Sequence, residues 1–299
     1  MSKKDSNIKS KSKLHANNKH KGIYNYKNLA KINPLLKDFI RRNQFGNISI
    51  DFSNPQAVYQ LNKAILQDSY KIRYWELPHK YLCPAIPGRA EYIHHIAEIL
   101  KPKTENIRCL DIGTGASLIY PIIGVREYNW SFVGTDIDDL AINSARQIIN
   151  NNGLEEKIEI RKQNNDNAFF KGIVNKNEKF DISICNPPFF SSKKAYEQAN
   201  LRKINNLSLG NGDKPEPNFR GIDSELWCLG GEKRFIKSMV KESKEYADSI
   251  RWFSTLISNN DNLKPIIKSL EKIKTKEIMT IPIELGNKKS RILVWRFGE

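Results

Sequence analysis

Two short stretches carry side chains whose types and spacing could do chemistry. The first is Asn186-Pro187-Pro188-Phe189, directly after the apolar run Phe180–Cys185. An exocyclic amine such as N6 of adenine donates its lone pair into the ring, so it is planar and a poor nucleophile. The Asn186 side-chain oxygen and the Pro187 carbonyl can accept its two hydrogens, drawing the nitrogen toward tetrahedral geometry and freeing the lone pair. Two prolines stiffen the turn, so the acceptors need no reorganisation when the reaction occurs. Phe189 can stack on the base. No strong general base is required, because methylation itself makes the N–H acidic. A side-chain amide is also a planar nitrogen and suits the same motif.

The second stretch is Asp111-Ile112-Gly113-Thr114-Gly115-Ala116-Ser117, set between a strand-like and a helix-like segment. Glycines there let a ligand approach the backbone, and the helix start offers free N–H donors. The dinucleotide fingerprint GxGxxG fails, because Leu118 stands where the third glycine belongs. Asp111 suits a cation better than a pyrophosphate, and the methionine amine of S-adenosylmethionine is such a cation. One strand later, Asp136 can accept both hydroxyls of a ribose. Each carboxylate alone is equally a helix cap or a turn former. Together, at the ends of adjacent strands, they point to a nucleoside cofactor.

The elements that must position these residues alternate. Strands are expected at Ile107–Ile112, Ser131–Thr135, Ile158–Arg161, Phe180–Cys185 and Ile250–Ile257, with helices from about Leu118, over Leu140–Asn151, Lys233–Asp248 and Leu263–Ile273. Strands Glu277–Ile283 and Arg291–Phe297, joined by the Gly286-Asn287 turn, close the chain as a hairpin. Repeated strand–helix units imply a mostly parallel sheet with helices on both faces, here seven-stranded with an antiparallel C-terminal hairpin. Upstream, Asn33–Phe45 has helical spacing, Asn54-Pro55 opens a helix running to about Tyr70, Leu77–Arg89 reads as irregular, and Glu91–Leu100 as a helix. The division is therefore a disordered basic arm over 1–22, a small helical region over 23–100, and an α/β domain over 101–299 with a long loop at about 191–231.

Of 49 basic residues, twelve lie in residues 1–42 against two acidic ones, so about +10 of the net +16 sits there. Such a block fits a nucleic-acid-binding arm and a solubilising tail equally well. Cys83, Cys109, Cys185 and Cys228 form no CxxC pair, which excludes a disulfide framework and a structural zinc site. His94 and His95 are adjacent and point apart on a helix, so no metal is expected. No apolar run reaches the roughly 20 residues of a membrane span, and the N-terminus lacks a secretory h-region. A cytoplasmic monomer is the expectation.

Over nearly its full length the sequence resembles the bacterial 23S ribosomal RNA adenine-N6 methyltransferases, whose eukaryotic relatives methylate a spliceosomal small nuclear RNA. The stretches that carry this are Cys83 to Arg89, Tyr92 to His95, Asp111 to Tyr120, Cys185 to Phe190, Glu225 to Cys228, and Gly230-Gly231-Glu232. The resemblance implies the Rossmann-like class I methyltransferase fold and S-adenosylmethionine as cofactor. Arg89, Asp111, Gly113, Gly115, Ser117 and Asp136 would contact it, with Gln163 near its adenine. Asn186 through Phe189 would be catalytic. The loop residues Lys193, Lys194, Arg202, Lys203 and Trp227 are expected to hold RNA, and 23S ribosomal RNA or an assembling large-subunit particle is the implied partner. A chain ending at Glu299, without an extra C-terminal domain, fits the bacterial branch. A protein-glutamine methyltransferase and an RNA-binding factor that has lost activity are the competing readings.

Overall fold

The computed structural model describes residues 14–21, 24–79, 81–101, 105–192, 194–195, 197–198, 223–285 and 288–298. Its centre is a seven-stranded sheet in the order β5-β4-β3-β6-β7-β9-β8. The strands are β3 (Arg108–Ile112), β4 (Ser131–Asp136), β5 (Ile158–Lys162), β6 (Phe180–Cys185), β7 (Ile250–Ile257), β8 (Glu277–Leu285) and β9 (Lys288–Arg296). The first five pair in parallel, and β9 is antiparallel to both β7 and β8. β6 is buried at every position, as a central parallel strand with helices on both faces must be. Pro282 cannot donate to a ladder, and it sits in β8, an edge strand with one neighbour. The turn residues Gly286 and Asn287 lie outside the described residues.

Strand order reverses at β3, whose neighbours are β4 on one side and β6 on the other. A crevice therefore opens above the carboxyl ends of β3 and β6, where open α/β sheets bind ligands. The helices α4 (Ile119–Tyr128) and α5 (Asp139–Asn152) follow β3 and β4; α6 (Gly231–Ser243) and α7 (Asn260–Lys272) flank β7. Glu232, buried at the start of α6, accepts from the backbone N–H groups of Ser258 and Asn259 at 2.6 and 3.2 Å. That carboxylate fastens the β7–α7 turn to α6.

Upstream, α1 (Tyr26–Ile32) leads to a 3-10 turn, Pro34–Phe39, and then to a small hairpin of β1 (Ile40–Arg42) with β2 (Ile48–Ile50). The helix expected over Asn33–Phe45 is thus replaced. Asn43 Oδ1 accepts from the N–H groups of Phe45 and Asn47, each at 3.0 Å, and Gly46 has φ 77°, so the chain reverses there. Helix α2 (Pro55–Tyr70) starts where expected, with Asn54 Oδ1 accepting from Gln56 and Ala57 N–H. Such a cap is worth about 1 kcal/mol. Helix α3 spans Ile86–Leu100 and starts earlier than expected, because Pro87 occupies the first turn, where no N–H is needed. Helix α6 stops at Ser243, short of the expected Asp248, and a 3-10 turn, Lys244–Tyr246, follows.

Residues 14–21 are docked, in contrast to the free arm expected over 1–22; residues 1–13 lie outside the described set. His15 N–H and Asn18 Nδ2 donate to the Glu91 carboxylate at 2.8 and 2.7 Å, and His20 Nε2 meets Tyr70 Oη at 2.8 Å. Burial would raise the Glu91 carboxyl, but hydrogen bonds from His95, Asn18 and His15 hold it below the usual range. One apolar cluster runs from Leu36, Leu66 and Trp75 through Ile93 and Ile96 to Ile122, Ile182 and Val294, so the packing is continuous across residue 100. Among the described residues no helix is long and apolar enough to cross a membrane.

Candidate active site

The turn after β3 is built for close approach of a ligand. Gly113 and Gly115 have φ of 71° and 67°, and Leu118 has φ 52° just before α4. At Gly113 an added Cβ would meet nothing within 4 Å, so the backbone itself faces open space. The turn is pinned from β4: Thr114 N–H donates to Thr135 O and Gly115 N–H to Asp136 Oδ2, both at 2.9 Å. From the outer side, Trp75 Nε1 donates to Ser117 O at 2.9 Å.

Asp111, next to last in β3, is fully buried, and neither carboxylate oxygen has a hydrogen-bond partner; Thr114 Oγ1 is likewise unsatisfied. Burial, with the nearby Asp136 charge, pushes its carboxyl up to about 7, against the Thr114 hydroxyl beside it and, more weakly, Arg89. A buried carboxylate left unpaired is costly, so the position calls for a cation or a strong donor. Burial also raises the Asp136 carboxyl, against hydrogen bonds from the Asp138, Gly115 and Ile137 backbone. Its oxygens keep lone pairs for a pair of hydroxyls. Arg89, on α3, donates to Tyr120 Oη at 2.8 Å with its guanidinium 5.4 Å from that ring's centre, and so projects beside the turn.

One cleft of about 480 Å³ gathers Arg89, Gly113, Gly115, Ser117, Asp136, Gln163, Asn186 and Pro188, together with Trp227. All lie along the carboxyl edge of the sheet, and the volume suits a nucleotide-sized ligand. Asn186 Oδ1 is buried in the cleft without a partner. Beneath it, Tyr92 Oη sits 2.9 Å from Ser254 Oγ and 3.4 Å from Cys185 N, and Ser254 Oγ donates to Ser183 O. This buried network holds the end of β6, and with it the Asn186–Phe189 turn. Phe189 is exposed, and neither it nor the buried Pro187 lines the cleft, although Asn186 and Pro188 of the same turn do.

Gln163 lines the cleft, but its amide is occupied: Nε2 donates to Lys171 O at 3.0 Å and Oε1 accepts from Asn165 N–H at 2.9 Å. It shapes a loop that presents Asp166, Asn167 and Phe169 to the same cleft, and these were not singled out in the sequence. Glu242 of α6 accepts the N–H groups of Phe169, Phe170 and Lys171 and fixes that loop. Of the loop cations expected to hold RNA, Lys194 is exposed, while Lys193, Arg202 and Lys203 lie outside the described residues. A basic row that the sequence reading missed runs instead along α6: Lys233, Arg234, Lys237 and Lys241 line a shallow groove, and Arg234 also reaches the cleft. Its signal was present in the sequence, as lysines at i, i+4 and i+8.

Three ligand-type side chains, His15, His95 and Glu98, also approach one another. His15 Nδ1 accepts from Asn17 N–H at 3.1 Å, while Nε2 lies 3.2 Å from Glu98 Oε1 without the geometry of a hydrogen bond.

The RNA methyltransferase family matches residues 8–299. The chain is 45% identical over 302 residues to ribosomal RNA large subunit methyltransferase F of Bacteroides fragilis, covering 96% of this chain and 99% of that protein. It superposes on the crystal structure of the human METTL16 catalytic domain in complex with MAT2A 3′UTR hairpin 1, with a TM-score of 0.83 and 27% identity over 96% of both chains. The N-terminal domain of human METTL16 in complex with SAH shares the fold at a TM-score of 0.77 and 24% identity, over 96% of this chain and 99% of that one.

Proposed function

The chain belongs to the RNA methyltransferase family, and from that premise we propose that it transfers a methyl group from S-adenosylmethionine to the N6 amine of an adenine in 23S ribosomal RNA. The bound cofactor supplies the methyl group on a sulfonium centre. The observation that carries the reading is the cleft itself, lined by the buried, unsatisfied Asn186 Oδ1 and by Ile112 and Gly113, which directly follow the buried, unsatisfied Asp111 carboxylate on the adjacent strand.

Each residue then has a task set by its surroundings. Asp111, short of a positive partner, takes the cofactor's ammonium group with Arg89 alongside. Asp136 accepts the ribose hydroxyls while it keeps the glycine turn closed through Gly115. The loop of Asp166, Asn167 and Phe169 encloses the cofactor's adenine. On the substrate side, Asn186 Oδ1 and the Pro187 carbonyl accept the two amine hydrogens, which localises the nitrogen lone pair toward the methyl group. Phe189 stacks on the base. A target adenine reaches this depth only when turned out of its stack. The row Lys233, Lys237 and Lys241, at about 6 Å intervals along α6, suits an RNA backbone leaving the cleft at Arg234. No ion pair is made to these four side chains among the described residues, so their charges are available to phosphates. That row favours RNA over a protein glutamine as substrate.

The test is Asn186→Ala. Loss of a transition-state acceptor costs on the order of a hundredfold or more in turnover, whereas cofactor affinity measured by calorimetry should be unchanged. Turnover near wild type would remove Asn186 from the mechanism.

A further inference from the structure

Among the buried polar groups left unsatisfied in the cleft, one is of opposite sense to Asn186 Oδ1: the indole N–H of Trp227. Its position is fixed with respect to the catalytic turn. Phe190 N–H donates to Leu226 O and Cys228 N–H to Phe190 O, both at 3.0 Å, so Trp227 bridges to the residue after Phe189. Glu225, two residues before, accepts from Leu82 N–H at 3.0 Å and ties the segment to the opposite wall. Gly231 N–H donates to Cys228 O at 2.9 Å and closes the turn into α6. An indole nitrogen can only donate, and a buried donor without an acceptor is destabilising. The cleft thus offers one acceptor and one donor to whatever enters beside the Asn-Pro-Pro-Phe turn.

We propose that Trp227 is a base-reading residue, its indole N–H donating to the ring nitrogen that flanks the reactive amine. This rests on the adenine-N6 reading. In adenine the amine is flanked by two such acceptors, N1 on the Watson–Crick edge and N7 on the Hoogsteen edge. Asn186 and Trp227 together would recognise an amine next to an unprotonated ring nitrogen. Guanine has an oxygen at that position and a proton on N1, so it would oppose both contacts on its Watson–Crick edge. Sites that hydrogen-bond a substrate group discriminate strongly against analogues lacking it, because their own buried polar groups are left unpaired.

The experiment uses the full chain, S-adenosylmethionine and three RNAs: one with the natural target adenine, located beforehand by nucleoside mapping, and two with 1-deazaadenine or 7-deazaadenine in its place. Single-turnover rates are measured for wild type and Trp227→Phe, which keeps an aromatic ring and removes the donor. We expect one of the two deaza RNAs to be methylated roughly tenfold to a hundredfold more slowly by wild type. Trp227→Phe should show a similar loss on natural RNA and no further loss on that deaza RNA, with cofactor affinity unchanged. The proposal is overturned if wild type turns over both deaza RNAs as fast as natural RNA, or if the losses from Trp227→Phe and the deaza base multiply. The deaza comparison in wild type stands even where the variant folds poorly. If natural RNA is methylated at some other atom or not at all, the adenine reading fails first, and that outcome is separate from equal rates on all three RNAs.

Discussion

Asp111 makes a prediction at the residue scale, because its charge is out of place until a cation binds. Its carboxyl, pushed from 3.8 to about 7 by burial, is raised relative to the unfolded chain. The folded state therefore gains nothing from its ionisation, and stability present below pH 4 is lost as pH rises through 7. In the ligand-free protein, keeping Asp111 ionised at pH 8 costs up to about 4 kcal/mol. Asp111→Asn should melt higher than wild type at pH 8, should converge with it below pH 4, and should bind cofactor far more weakly. Wild-type cofactor affinity should rise between pH 6 and 8 as the carboxylate forms. A melting difference that does not change with pH would contradict this. Asp111, Asp136 and Asn186 were legible in the sequence because each stands at the end of an apolar strand, and strand ends define the crevice. Asp166, Phe169 and Arg234 were not, because they reach the cleft from a loop and a helix placed there by Glu242, a contact across more than seventy residues.

At the scale of elements, the docked segment 14–21 changes what truncation should do. Glu91 is 2% exposed, and its carboxylate is satisfied by His15 and Asn18. Removing residues 1–21 strips two hydrogen-bond donors from the buried Glu91 carboxylate and leaves it only His95, a loss of roughly 1.5–3 kcal/mol per bond, and should lower the melting temperature clearly. Removing residues 1–13 should weaken RNA binding and spare the Glu91 contacts, so the longer truncation should melt below the shorter one, as read by melting curves and filter binding on the two. Equal melting temperatures would mean that the segment is not docked in solution. The sequence hid this docking because the segment directly follows the lysine-rich run 1–13, and its contact residues His15, Asn18 and His20 are polar, with no apolar periodicity to mark a packed face. The helix expected over 33–45 failed for a related reason. Leu36, Phe39 and Ile40 have helical spacing, but the Asn43 side chain supplies the hydrogen bonds of a turn, and Gly46 adopts the conformation that turn demands. Conversely, the central strands β3, β6 and β7 were legible at nearly their true bounds, since strands buried on both faces leave continuous apolar runs.

For the molecule as a whole, the net charge of +16 acquires a direction from the α6 row. Replacing Lys233, Lys237 and Lys241 by alanine should weaken RNA binding and reduce the slope of log affinity against log salt by about 2, the value for three lost phosphate contacts on a single strand. Fold stability should hold, because these side chains point away from the core. An unchanged slope would place the RNA path elsewhere. The claim beneath all of this is that the cleft methylates an adenine amine in ribosomal RNA, and one measurement addresses it directly. Unmodified 23S ribosomal RNA is incubated with the protein and methyl-labelled S-adenosylmethionine, digested to nucleosides and separated, with an equal mass of ribosomal protein as a parallel substrate. The account predicts label in N6-methyladenosine at a single site, lost with Asn186→Ala. Label in methylglutamine, in another nucleoside, or in neither substrate would contradict it.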